Sequence, residues 1–218
     1  MDAKLILSEV EVRVLAVLME KALTAASAYP MTINAVVLGA NQLQNREPVT
    51  AFSESEVSAA MRTLEHKGLV AQAATSMGAR AVRFEHRVVD KLGWDRREQA
   101  VLVELMLRGR QTTGELRTRA SRMTQLPDLQ AVVTVLDALK SRTPPFVEEL
   151  AREPGRSANR FRHMLAVETA EVVSADGPAS LETRVARLEA DLQSLKDLFA
   201  ARGSTDPSPF DAGPDSTT

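Results

Sequence analysis

A mostly helical α+β fold is predicted by three features of this 218-residue chain. The first is Ser53–Arg87, where a helix runs into a β-hairpin. Val57, Met61 and Leu64 recur at helical spacing behind polar Ser53 and Glu54, and Gly68 stops the helix. Two β-leaning runs follow, Leu69–Ala74 and Ala81–His86, with Gly78 at the turn between them. The second feature is a repeat of this plan near residues 128–166. A helix feeding a hairpin twice in one chain predicts two tandem winged-helix domains, residues 1–90 and 91–168. The third is an apolar seam beyond a linker at 169–179. It predicts a C-terminal coiled-coil helix over 180–202, followed by a disordered tail over 203–218.

Composition narrows the chemistry. Apolar residues make up 44% of the chain but aromatics only 4%, so Leu, Val, Ala and Met must fill the cores. The absence of cysteine excludes disulfides, thiolate metal sites and a Cys nucleophile, and suits a reducing cytoplasm, the expected location. Glu9, Glu11 and Arg13 interrupt the first apolar stretch, which is therefore read neither as a signal peptide nor as a membrane span. The net charge of −2 hides an asymmetry. Residues 1–90 carry 9 Lys/Arg against 10 Asp/Glu, residues 91–166 carry 14 against 9, and residues 167–218 carry 4 against 10. Only the middle segment is basic. It suits an acidic partner such as nucleic acid, or is an ordinary solvated surface.

The elements follow in order. Ser8 and Glu11 fit a capping box opening a helix over Ser8–Thr24, with Val10, Val14, Val17 and Leu18 on its apolar face. Ala25–Pro30 is a loop. Thr32 caps a second helix, Ile33–Leu43, with Ile33, Val36, Val37 and Ala40 inward. Asn45–Phe52 connects it to the helix and hairpin described above, and Pro48 keeps Glu47 out of the α region. The second copy starts at Trp94–Asp95, with Asp95 and Glu98 at capping spacing. Its first helix contains Ala100–Leu107 and closes at Gly109. Thr113 caps a short helix, Glu115–Arg122. Asp128 caps the third, in which Leu129, Val132, Val133, Leu136 and Leu139 form the stripe. Pro144–Pro145 stops it, and strands Phe146–Ala151 and Asn159–Val167 follow around a turn at Pro154–Gly155. Val14–Met19 (VLAVLM) resembles Val101–Met106 (VLVELM), so duplication is the simple reading and convergent patterning the alternative.

Beyond the linker, Leu181, Val185, Leu188, Leu192, Leu195 and Phe199 alternate spacings of four and three, an a/d seam. In a parallel homodimer Arg184 would meet Glu189, and Asp191 would meet Lys196. The other reading is an amphipathic helix docked on its own chain.

No catalytic residue, metal or cofactor is expected. His66, His86 and His163 stand in no metal-ligand spacing, and no nucleophile elbow or phosphate-binding glycine loop is present. Nucleic-acid binding is the leading expectation, although the third helices are poorly charged for it. Ser53–Lys67 carries Glu54, Glu56, Arg62, Glu65 and Lys67, a net of −1, and Asp128–Arg142 is neutral. Cations gather instead on Arg117, Arg119 and Arg122, on Arg80, Arg83 and Arg87 of the first hairpin, and on Arg152, Arg156, Arg160 and Arg162 of the second. Wing-led contact with phosphates is therefore the preferred DNA hypothesis. Its competitor is pairing of these arginines with Glu148, Glu149 and Glu153 across the hairpin.

Three stretches resemble the YceH-like bacterial proteins of uncharacterised function: Tyr29–Val57, Leu107–Met123 and Leu150–Leu165. The first carries Tyr29–Pro30, Asn34, Asn41–Gln42, Asn45–Arg46, Pro48–Val49 and Ser53–Glu54. Gly39–Ala40 stand where the family pattern has Ala-Cys, and Leu43 where Lys is usual. The resemblance implies tandem winged-helix domains, often with a C-terminal coiled segment, and no established activity. Asn41, Gln42, Asn45 and Arg46 either fix the connector by capping carbonyls or form a polar contact surface. Tyr29 either anchors its loop or presents an aromatic to a partner. The combined expectation is a cytoplasmic, non-enzymatic, dimeric protein that binds double-stranded DNA in a regulatory role. The alternative is a module whose winged helices grip another polypeptide.

Overall fold

Four of the helices open on a capping box, in which a Ser, Thr or Asp side chain and a Glu three residues on satisfy each other's free backbone amides. Such a cap is worth about 1 kcal/mol. The computed structural model describes residues 4–74, 81–152, 155, 158–166 and 193. Ser8 with Glu11 opens α1 (Glu9–Thr24), and Ser53 with Glu56 opens α3 (Glu54–His66). Between them Thr32 caps α2 (Ile33–Ala40). Gly68 ends the α3 segment at a φ of 69°. The chain then forms β1 (Val70–Gln72) and β2 (Phe84–His86), paired antiparallel. A short α4 (Val88–Leu92), which the periodicity does not reveal, leads to Gly93 in the left-handed region.

The second copy has the same order. Asp95 with Glu98 opens α5 (Arg96–Arg108). After β3 (Gln111–Thr112), Thr112 with Glu115 opens α6 (Thr113–Ala120). Asp128 caps α7 (Leu129–Ser141), and β4 (Val147–Leu150) pairs with β5 (Arg160–His163). The protein is thus α+β, with seven α-helices and two small sheets among the described residues. No helix among these residues is long and apolar enough to cross a membrane.

Several boundaries differ from the sequence expectation. α2 stops at Ala40 rather than Leu43, because the Asn41 side chain turns to the connector, donating to Phe52 O and accepting from Phe52 N, both at 2.8 Å. Thr112, not Thr113, caps α6, which ends at Ala120 rather than Arg122. All four hairpin strands are shorter than predicted. Each second hairpin strand also gains a partner from the residues just before its half's second helix. Met31 exchanges backbone hydrogen bonds with Phe84, and Gln111–Thr112 pair with Arg160–Phe161.

The core is built around α1 and α5, which pack against each other. Each is buried on every face over ten residues, Glu11–Glu20 and Glu98–Leu107, rather than on one stripe. α2 and α3 cover α1, and α6 and α7 cover α5. Gly39 is required here, because a Cβ on it would lie 2.7 Å from Val17 Cγ1. In the second half Trp94 is fully buried and meets Phe146 edge-on at 5.0 Å. Met1–Glu168 cluster as one unit and Thr169–Thr218 as another. The seam Leu181–Phe199, with Val185, Leu188, Leu192 and Leu195, lies outside the described residues, as do Gly78, Arg80 and Arg156.

Candidate functional site

The two third helices present different surfaces. α3 buries Val57, Ala60, Met61 and Leu64 and exposes Glu54, Ser55, Glu56, Arg62 and Thr63. Its first turn is therefore acidic. α7 buries Val132, Val135, Leu136 and Leu139. Leu129, expected inward, is 52% exposed, and it shares the outer face with Gln130 and Thr134. The first two turns of α7 thus expose no carboxylate beyond the capping Asp128.

Most of the arginines singled out from the sequence hold the fold together. Arg83 donates to Pro30 O at 2.8 Å. Arg87 pairs with Glu85 at 2.8 Å and with Asp90 at 3.4 Å. Arg117 reaches Pro127 O at 2.7 Å but stays exposed, and Arg119 donates to Gln111 Oε1 at 2.8 Å. Arg162 is paired across the hairpin with Glu148 at 2.6 Å. Arg160 is half-buried, and its Nε has no hydrogen-bond partner among the described residues. A shallow cleft of about 420 Å³ between α7 and the second hairpin contains Lys140, whose charge is taken by Asp137 and Glu149 at 3.2 and 3.0 Å.

Arg122 belongs to a buried network that joins the two halves. Its Nη2 lies 2.7 Å from Glu20 Oε1 and 2.8 Å from Glu104 Oε1. Glu20 also takes Arg46, at 2.5 Å through Nη2, and both side chains are almost fully buried. Arg46 is held further by Gly39 O and Asn45 O at 3.0 and 2.8 Å. Glu104, fully buried, pairs with Arg108 at 3.3 Å, and Arg108 donates to Asn45 Oδ1. The Glu47 amide closes the seam on Leu107 O at 2.8 Å. Burial pushes the Glu20 carboxyl up, but the hydrogen bond and charge of Arg46, joined by Arg122, hold it below the usual carboxylate range.

This network accounts for part of the polar motif around the second helix. Asn41 and Arg46 pin the connector. Asn45, at a φ of 61°, turns its carbonyl and amide oxygens to the two arginines. Gln42 makes a local bond to Gln44 O at 2.7 Å. The Tyr29 hydroxyl accepts from the His86 amide at 2.7 Å, so it anchors its loop to β2. Burial raises that hydroxyl to about 12. Burial also lowers His86 and His163, which close β2 and β5, to about 4 each. Among the described residues no group of three His, Asp or Glu is arranged to hold a metal ion.

Sequence reasoning overlooked Glu20 and Glu104 as the organising acids. The available signal was a carboxylate within or beside each matched apolar run, VLAVLM-Glu20 and VLV-Glu104-LM. It also passed over Arg96 and Arg97, which line a cleft with Arg122.

Residues 7–156 match the family described as protein of unknown function, DUF480. A UPF0502 protein of Geobacter sulfurreducens is 48% identical over 165 residues, covering 76% of this chain and 74% of its own length. One from Geotalea uraniireducens is 45% identical over 192 residues, covering 84% and 87%. One from Azoarcus is 42% identical over 205 residues, covering 91% and 90%. These matches agree with the YceH-like resemblance of the three motifs.

Proposed function

The chain belongs to the DUF480 family of uncharacterised bacterial proteins, represented among its relatives by UPF0502 proteins, and on that premise we propose that it is a non-enzymatic, regulatory DNA-binding protein of tandem winged-helix type. In this reading the second half faces the duplex. The observation that carries it is the outer face of α7. In a helix-turn-helix the first residues of the second helix meet base edges in the major groove. Gln130 suits the bidentate pattern of adenine, and exposed Leu129 suits a thymine methyl. α6 and the turn after it supply exposed Arg117 beside this helix. The excess of cations over residues 91–166 supplies the field that attracts phosphates.

α3 is the weaker reader, because Glu54 and Glu56 at its exposed start would repel the backbone. This surface favours a second reading for the first half, that of a protein contact. Leu38 and Leu43, at and just beyond the end of α2, are 68% and 80% exposed. A polypeptide partner would cover them.

Titration of the full chain against random-sequence duplex at stepped salt tests the leading reading. Affinity should fall as a power of salt concentration, with a slope that counts the phosphates contacted. Absence of salt-dependent affinity for any duplex contradicts it and leaves the protein-contact reading.

A further inference from the structure

The start of α5 and the turn between α6 and α7 enclose an open cleft of about 520 Å³. Among the described residues Arg96, Arg97, Arg122, Ser121, Thr124 and Gln125 line it, and no carboxylate does. Two of the three guanidiniums are already oriented. Arg96 Nη2 donates to Leu23 O at 3.2 Å and to Met123 O at 3.1 Å. Arg122 is held by Glu20 and Glu104. Arg97 is exposed, and its side chain has no partner among the described residues.

The nearby acids are occupied. Asp95 accepts from the Arg97 and Glu98 amides, both at 2.8 Å. Glu20 and Glu104 are shared among Arg46, Arg108 and Arg122, so two carboxylates face three guanidiniums before Arg96 and Arg97 are added. The Ser121 hydroxyl is spent on Arg117 O at 2.5 Å. The donors left to a ligand are the free guanidinium edges, Thr124 and Gln125.

We infer that this cleft binds a phosphate group, through the Arg97 guanidinium and the unused edges of Arg96 and Arg122. Guanidinium forks match phosphate oxygens in geometry and charge. Orientation of Arg96 and Arg122 by the fold reduces the side-chain entropy lost on binding. The phosphate comes either from a DNA backbone, in which case the cleft extends the α7 surface and rests on the DNA reading, or from a free phosphorylated ligand.

The test is nuclear magnetic resonance of the labelled full chain, observing backbone amides and arginine Nε groups. Inorganic phosphate, pyrophosphate and a short duplex are titrated separately against chloride at equal ionic strength. Saturable shifts at Arg97, Thr124 and Gln125 are expected, with pyrophosphate tighter than phosphate. Arg97→Ala, an exposed change that leaves the buried network intact, should weaken binding about tenfold. Pyrophosphate binding without duplex binding supports the cleft and contradicts the DNA reading. Duplex binding that leaves the cleft resonances unmoved, beside pyrophosphate shifts there, supports the cleft as a site for a free phosphorylated ligand and contradicts its use by a DNA backbone. The cleft is overturned if none of the three probes gives a saturable shift there, or if Arg97→Ala binds as the parent does.

Discussion

The two halves of this protein repeat one order of elements and use their charges in opposite ways. In the first half Arg46 sits in the protein interior on Glu20, Arg83 and Arg87 are tied to their own hairpin and loop, and the exposed start of α3 is acidic. In the second half Arg122 reaches the same buried acid but keeps a third of its side chain in solvent, and Arg97 and Arg117 stand outside. The same plan therefore supplies one half whose described arginines, exposed Arg62 apart, are structural and one whose cations are partly presented. The order of elements is alike in the two halves, while the surfaces they offer differ.

The largest expected effect tests whether the shared acid joins the halves. Glu20→Ala leaves Arg46 buried without its carboxylate and should cost about 3–5 kcal/mol in urea unfolding. A loss below about 1 kcal/mol would mean that the network is not what holds the seam. Acid should act in the same direction. Glu20 is held below the usual carboxylate range, so its contribution is present above that range and is lost as pH falls through its lowered value.

The histidines compare the hairpins. Burial holds His86 and His163 neutral in the folded protein down to about pH 4, whereas unfolded imidazoles take a proton near 6.5. The unfolded state then binds more protons, so stability is full above pH 6.5 and falls toward pH 4, by up to about 3 kcal/mol at each site. His86→Phe should remove the first hairpin's share of that slope and leave the second's. An unchanged slope would show that His86 is not buried neutral.

Two glycines give a smaller contrast. Gly39→Ala drives a methyl into Val17 and should cost about 2 kcal/mol. Gly114→Ala in α6 meets nothing within 4 Å and should stabilise by up to about 0.5 kcal/mol. Equal effects would mean that α2 and α6 approach their neighbours alike. Smallest is the surface pair of the second hairpin, where Arg162→Ala should cost about 0.5 kcal/mol.

Local signals were the legible part of the sequence. The capping spacings at Ser8 and Asp95, the polar start at Ser53–Glu54 and the stops at Gly68 and Gly109 locate helices because each acts within a few residues. The pairings of Met31 with Phe84 and of Gln111–Thr112 with β5 were not legible, since one or two residues carry no periodicity. The end of α2 was missed because Asn41 is claimed by Phe52, eleven residues away. The arginines were correctly counted but not placed. Whether a guanidinium faces solvent or a buried Glu20 depends on how α1 and α5 meet, and no window along the chain contains both helices.

The most direct test of the division between halves is a pair of charge reversals compared on one salt-titrated duplex, Arg62→Glu on the exposed face of α3 and Arg97→Glu at the start of α5. Both residues are exposed, so both variants should fold. Arg97→Glu should lower affinity at least about tenfold and flatten the salt slope, while Arg62→Glu should change neither. Equal losses, or a larger loss from Arg62→Glu, would contradict the assignment of the DNA-facing surface to the second half.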